Sequence, residues 1–264
     1  MHPSPSTALV TGASGGIGAE LAREYARHGH ALVLVARSRA ALEALAEQLR
    51  STHSVPVRTI VMDLAAGGAA DRLVAELDSA RVQVDVLVNN AGFALYGDFA
   101  ETDWEKEAEM VQLNVVTLTA LTKKLLPGML SRRRGRILNV ARTAGFLPGP
   151  LMAVYYATKA YVLSFSEALA EEVRGTGVSV TALCPGPTRT GFQARASMEA
   201  SRLVNGKRLP DAAEVSREGY EGAERGAAVV IPGFQNRVQV GLVRFLPRSM
   251  VSRMVHRAQE RVHG

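Results

Sequence analysis

Seven short apolar runs punctuate the chain: TALV at 7–10, ALVLVA at 31–36, VRTIVM at 57–62, VDVLVN at 84–89, RILNVA at 136–141, VSVTAL at 178–183 and AVVI at 228–231. Between them lie longer stretches with helical spacing of apolar residues. This alternation predicts repeated βαβ units, and hence a Rossmann-like, doubly wound α/β domain with a mostly parallel seven-stranded sheet. The near-continuous apolarity of each run suits strands covered by helices on both faces. Between the fourth and fifth runs, Thr102 followed by Glu105 offers a capping box for a helix running toward Lys124, and Pro127-Gly128 should end it.

Composition narrows the class. A length of 264 residues with 47% hydrophobic content fits one α/β domain with a sizeable core. The single cysteine, Cys184, has no internal disulfide partner, and the polar opening MHPSPST lacks the pattern of a secretion signal, so a reducing cytoplasm is expected. No apolar run approaches the ~20 residues needed to span a bilayer. A net charge of +6 raises nucleic acid as a partner, but residues 236–264 carry six arginines and one acid and so account for +5 of it. The remainder is nearly balanced, which argues against a nucleic-acid groove. No metal site is expected.

The first run is followed by Thr11-Gly12-Ala13-Ser14-Gly15-Gly16-Ile17-Gly18 and then an amphipathic helix. Glycines at a strand-to-helix turn let the backbone approach a pyrophosphate, and the helix N-terminus favours its charge. An ordinary tight turn is the plain alternative. Further candidates follow in order: Asp63 after the third run, Asn89-Asn90-Ala91-Gly92 after the fourth, Asn114, Tyr155-Tyr156-Ala157-Thr158-Lys159, and Pro185-Gly186 with Thr190.

These segments, with the spacing of Gly12, Gly16 and Gly18, resemble the classical short-chain dehydrogenase/reductase family from Ala8 through Thr190. The resemblance implies reversible hydride transfer between a nicotinamide cofactor and a carbonyl or alcohol, with Tyr155 as proton donor in reduction. It implies a cofactor site built from Gly12, Ser14, Gly15, Gly16, Ile17, Gly18, Asp63, Asn90, Tyr155, Lys159, Pro185, Gly186 and Thr190, with Asn114 holding a water beside Lys159. Lys159 lies one helical turn from Tyr155, where an ammonium favours the phenolate. At the end of the second run stands Arg37 rather than a carboxylate, which points to the 2′-phosphate of NADP. A solvated surface arginine is the alternative.

One position departs from the family pattern. Counting back from Tyr155, the substrate-orienting serine falls on Arg142, and Thr143 is the nearest hydroxyl that could replace it. Loss of such a donor costs on the order of 10²–10³ in rate. Two functions therefore stand side by side: an NADP-dependent reductase of a small hydrophobic carbonyl compound or alcohol, and an NADP-binding or scaffold protein of weak activity.

Apolar loops at Phe93-Ala94-Leu95-Tyr96, Phe146-Leu147-Pro148, Leu151-Met152 and Phe192 suit a hydrophobic substrate or simply pack together, and residues 191–225 are expected to form a lid. Helices near 105–124 and 155–173 correspond to those that pair subunits in many family members, implying a homodimer or homotetramer. Beyond residue 235 a basic amphipathic tail carries Leu242, Phe245, Leu246, Met250, Val251, Met254 and Val255 at helical spacing, interrupted by Pro247. Packing on its own domain or on a partner subunit is one expectation for it, and weak contact with a membrane surface is another.

Overall fold

A computed structural model describes residues 6–190, 209–243 and 245–260. Seven strands form one sheet: β1 (Thr7–Thr11), β2 (Ala31–Ala36), β3 (Val57–Val61), β4 (Val86–Asn89), β5 (Gly135–Val140), β6 (Val178–Leu183) and β7 (Val229–Val230). Their order is β3-β2-β1-β4-β5-β6-β7 and every pairing is parallel. The order reverses between β1 and β4, which opens a crevice at the carboxyl ends of the strands.

Alternation along each strand sends neighbouring side chains to opposite faces, so both faces need cover. Val10, Leu34, Val88 and Leu138 meet α1 (Gly16–Arg27), α2 (Arg39–His53) and α7 (Ala212–Glu224) through Leu21, Leu42 and Val215. Their neighbours Leu9, Val33, Leu87 and Ile137 meet α3 (Ala69–Ser79), α5 (Leu118–Ser131) and α6 (Ala153–Glu172) through Leu73, Leu121 and Leu169.

Three local expectations are corrected. The helix after β4 is capped by Asp103 rather than Thr102: its carboxylate accepts from the backbone N–H of Glu105 at 2.8 Å and Lys106 at 3.4 Å. That helix is three segments, α4 (Trp104–Val111), a π-helical stretch at Gln112–Thr117, and α5. Pro127 lies inside α5, which continues to Ser131; burial of Met129 against the sheet outweighs the one backbone bond that proline removes.

The segment expected to form a lid is described only in part. Residues 191–208, including Phe192, lie outside the described residues, but Ala212–Glu224 is a covering helix of the sheet. Its Ser216 hydroxyl donates to the Ile17 carbonyl at 3.3 Å, and Tyr220 packs edge-on against Tyr25. The tail forms α8 (Phe234–Val243) and α9 (Arg248–Gln259), with Pro247 preceding the latter. Val240 and Val251 are buried. No helix among the described residues is long and apolar enough to cross a membrane.

Candidate active site

The crevice beside β1 and β4 contains a cavity of about 460 Å³. At one end stand Arg37 and Ser38, in the middle the glycine turn, and at the other Arg142, Tyr155 and Lys159. Ser14, Gly15, Gly16, Ile17, Asp63, Asn90, Phe93 and Thr190 also line it.

The turn is shaped by left-handed backbone at Gly12 (φ 66°) and Gly16 (φ 58°), a conformation that glycine adopts without strain. Gly18 lies behind the cavity wall. A Cβ there would come within 2.4 Å of the Gly12 carbonyl oxygen, so its small size lets α1 pack on the turn. Asn90 holds the same turn by donating to the Thr11 carbonyl at 2.9 Å and the Gly12 carbonyl at 3.2 Å. The first turn of α1 has no side-chain cap and no acidic residue, and a Cβ on Gly15 would meet open space. Uncapped helix N–H groups beside an open glycine suit a pyrophosphate. Arg37 is exposed at the far end, and Asp63 accepts from the Ala65 N–H at 3.0 Å. This donor set fits a dinucleotide.

At the other end, α6 presents Tyr155 and Lys159 to the cavity, with the Lys159 ammonium 5.8 Å from the Tyr155 ring centroid. Lys159 Nζ donates to the Val140 carbonyl at 2.9 Å, which ties the helix to the end of β5. Asn114, on the π-helical stretch, is buried and lies outside the cavity lining. It brackets Phe93, donating to its carbonyl at 3.0 Å and accepting from its N–H at 3.3 Å, and donates to Thr158 Oγ1 at 3.2 Å. The wider π turn accommodates this inward residue.

Two neighbouring tyrosines are distinguished by their partners. Tyr156 turns away from the cavity, and its hydroxyl accepts from Gln259 Nε2 at 2.7 Å while burial pushes its pKa up to about 12. Burial also raises Tyr155, and the cation that opposes this rise is Arg142. The sequence reading gave that part to Lys159, whose ammonium also lies beside the ring. Burial, and then the Arg142 charge, bring Lys159 down to about 7.

Arg142 has extended backbone directly after β5, and its guanidinium donates to the Gly186 carbonyl at 3.5 Å. Thr143 turns elsewhere. Its hydroxyl and N–H both donate to the Pro185 carbonyl, at 3.4 and 3.0 Å, and it is not part of the cavity wall, so its substitution for serine gains no support. Pro185 and Gly186 likewise sit buried behind the wall, where they anchor Thr143 and Arg142.

Sequence reasoning named Asn89 but missed the partners that make a polar frame beneath this end. Asn89 donates to Asn139 Oδ1 at 2.9 Å and to Thr122 Oγ1 at 3.1 Å, and Asn139 donates to Ser166 Oγ at 2.9 Å. One asparagine inside the apolar fifth run was the available signal. The apolar loops partly assemble as expected: Phe93, Tyr96 and Leu147 pack with Met152 around Tyr155 and Tyr156. Phe146 and Pro148 instead line a separate cavity of about 840 Å³ between α6 and the C-terminal helices. The C-terminal contribution was also unforeseen: Gln259 is fully buried, and its carbonyl accepts from the Tyr96 hydroxyl at 2.6 Å.

Residues 6–200 match the short chain dehydrogenase family. The chain belongs to that family. A curated human relative, very-long-chain 3-oxoacyl-CoA reductase, is 36% identical over 183 residues, covering 67% of this chain and 58% of the relative. The same-named protein of Pyrenophora tritici-repentis is 33% identical, covering 86% of this chain and 67% of the relative. The first relatives are thus matched over little more than half their own length. Among solved structures, a short-chain dehydrogenase from Sphingobium yanoikuyae in complex with NADPH has a TM-score of 0.80 at 33% identity, covering 92% of this chain and 97% of that one. A family member from Burkholderia phymatum in complex with NAD has a TM-score of 0.81 at 26% identity, covering 91% and 93%. The chain therefore has the oxidoreductase fold of a family that binds nicotinamide cofactors.

Proposed function

We propose that this short-chain dehydrogenase is an NADPH-dependent reductase of a hydrophobic carbonyl compound, working in the cytoplasm as a homo-oligomer. The observation that carries the reading is the single cavity joining Arg37 and the glycine turn to Tyr155 and Lys159. Arg37 favours NADP because its guanidinium pairs with a 2′-phosphate and no carboxylate opposes it. The uncapped start of α1 takes the pyrophosphate, and Asp63 and Asn90 border the adenosine half. When bound, the nicotinamide supplies a hydride to the carbonyl carbon. Tyr155 donates the proton to the carbonyl oxygen, Lys159 recharges and orients that hydroxyl, and Asn114 keeps Phe93 and the loop beside Lys159 in register. The apolar packing of Phe93, Tyr96, Leu147 and Met152 excludes water from the reacting end. The names of the relatives, reductases of very-long-chain 3-oxoacyl-CoA, favour an acyl or other large apolar carbonyl substrate.

A second reading rests on Arg142. A permanent cation at the serine position costs a neutral donor and depresses Lys159, which favours a protein that holds NADPH with little turnover. NADPH consumption with a panel of hydrophobic ketones and 3-oxoacyl thioesters separates the two. Turnover on any of them that disappears in Tyr155→Phe supports the reductase; tight NADPH binding with no turnover across the panel supports the second reading.

A further inference from the structure

We propose that the outward faces of α8 and α9 dock this protein on an anionic membrane surface. The inference is independent of the reaction catalysed. It begins with an inverted helix: on α8, Phe234, Val238 and Leu242 recur every four residues and are 76%, 42% and 61% exposed, while Val240 on the opposite side is buried. Phe245, directly beyond the helix, is 86% exposed. An amphipathic helix serving only its own domain would turn this stripe inward.

The second helix supplies charge. Val251 and Gln259 face inward on α9, whereas Met250, Arg253, Met254 and Arg257 share the outward side, with Arg248 exposed at its start. Neither helix contains an acidic residue. Of the arginines on them, Arg237 pairs with Glu218 at 3.2 Å; Arg248, Arg253 and Arg257 enter no ion pair among the described residues. Apolar side chains interleaved with cations match the boundary between acyl chains and anionic headgroups. A second copy of the chain is a poorer occupant, because apposing two such faces brings arginines together with no carboxylate to offset them. The two helices lie on the surface rather than cross it, since neither has the length of a membrane span. The inward face of α9 carries Gln259, which bonds Tyr156 and Tyr96, so the helix that bears the docking face also packs against the residue next to Tyr155 on α6.

Sedimentation of the full chain with vesicles tests the proposal. Vesicles containing about 30 mol% phosphatidylserine should bind it at least ~10-fold better than pure phosphatidylcholine, and added salt should weaken the binding. Arg253→Gln with Arg257→Gln should lower partition roughly 10- to 30-fold. Phe234→Gln, Leu242→Gln and Phe245→Gln together should abolish it, with NADPH binding and circular dichroism unchanged in both variants. Should the apolar variant fail to fold, the arginine pair and the salt dependence of the unaltered protein carry the test. Absence of binding to anionic vesicles at low salt overturns the proposal, as does binding that both variants retain. A dimer that the apolar variant dissociates, in a protein that ignores vesicles, overturns it in favour of a second copy.

Discussion

Replacing Arg142 with serine removes a permanent cation from the wall shared by Tyr155 and Lys159 and leaves a neutral hydroxyl donor. The electrostatic consequences have definite signs. Burial is the larger cause of the fall in Lys159 from 10.5 to about 7, and the Arg142 charge is the next. Arg142 is thus the lesser cause, and in Arg142→Ser the ammonium should persist to higher pH. Tyr155 also loses the cation that opposes its burial, so its phenol stays protonated to higher pH. Both changes extend reduction toward alkaline pH. The new hydroxyl adds a donor to the developing oxyanion, an interaction worth on the order of 10²–10³ in kcat, so a gain of ~10- to 100-fold on a neutral ketone is expected.

The assay is the reduction of a neutral hydrophobic ketone at saturating NADPH, followed in both forms from about pH 6 to 10. The alkaline limb of kcat/KM should move upward in Arg142→Ser while NADPH affinity stays constant. If Arg142 instead pairs with a carboxylate or phosphate of the true substrate, the same replacement raises KM for that anionic compound. Superimposable pH profiles and equal turnover on neutral and anionic substrates alike would refute the reasoning and put Arg142 outside the reaction centre.

Tyr155→Phe, which removes only the ionisable hydroxyl, should cut carbonyl reduction by ~10²–10⁴ with NADPH binding intact, as fluorescence titration would check; retained turnover would remove Tyr155 from the role of acid. Arg37→Ala should shrink the preference for NADPH over NADH by ~10- to 100-fold, the worth of a charge-assisted hydrogen bond, and equal affinities in the unaltered protein would reject the assignment. Lys159 is depressed in the folded state, so between about pH 7 and 10.5 the unfolded chain binds more protons and stability rises with pH. Below 7 both states are charged and the burial penalty is full; above 10.5 both are neutral and it is gone. Lys159→Met should flatten this rise by about 2 kcal/mol between pH 7 and 9 in denaturant titrations, and identical slopes would contradict the depressed lysine.

The sequence by itself determined what is local or periodic. Seven apolar runs became seven parallel strands because a doubly covered strand has to be apolar on both sides, as Leu9 and Val10 are. The glycine turn and the Tyr155–Lys159 pair were legible because their spacing resembles the family's and sets a backbone path or a shared helix face. Helix boundaries were less legible: Asp103 competes with Thr102 as cap within one residue, and tertiary burial carries α5 through Pro127. Only the tertiary structure decided what depends on neighbours distant in the chain. It tied Lys159 to Val140, turned Thr143 toward Pro185, and set Asn114 on a π turn against Phe93. It also brought the Arg142 charge to bear on Tyr155 and lowered Lys159 toward neutrality. Periodicity revealed an amphipathic tail but not which side faces out, because that depends on the body each helix meets: Val240 and Gln259 face inward, and Phe234 and Leu242 outward. Hydrogen bonds and desolvation act through space, and their partners are chosen by the fold rather than by position along the chain.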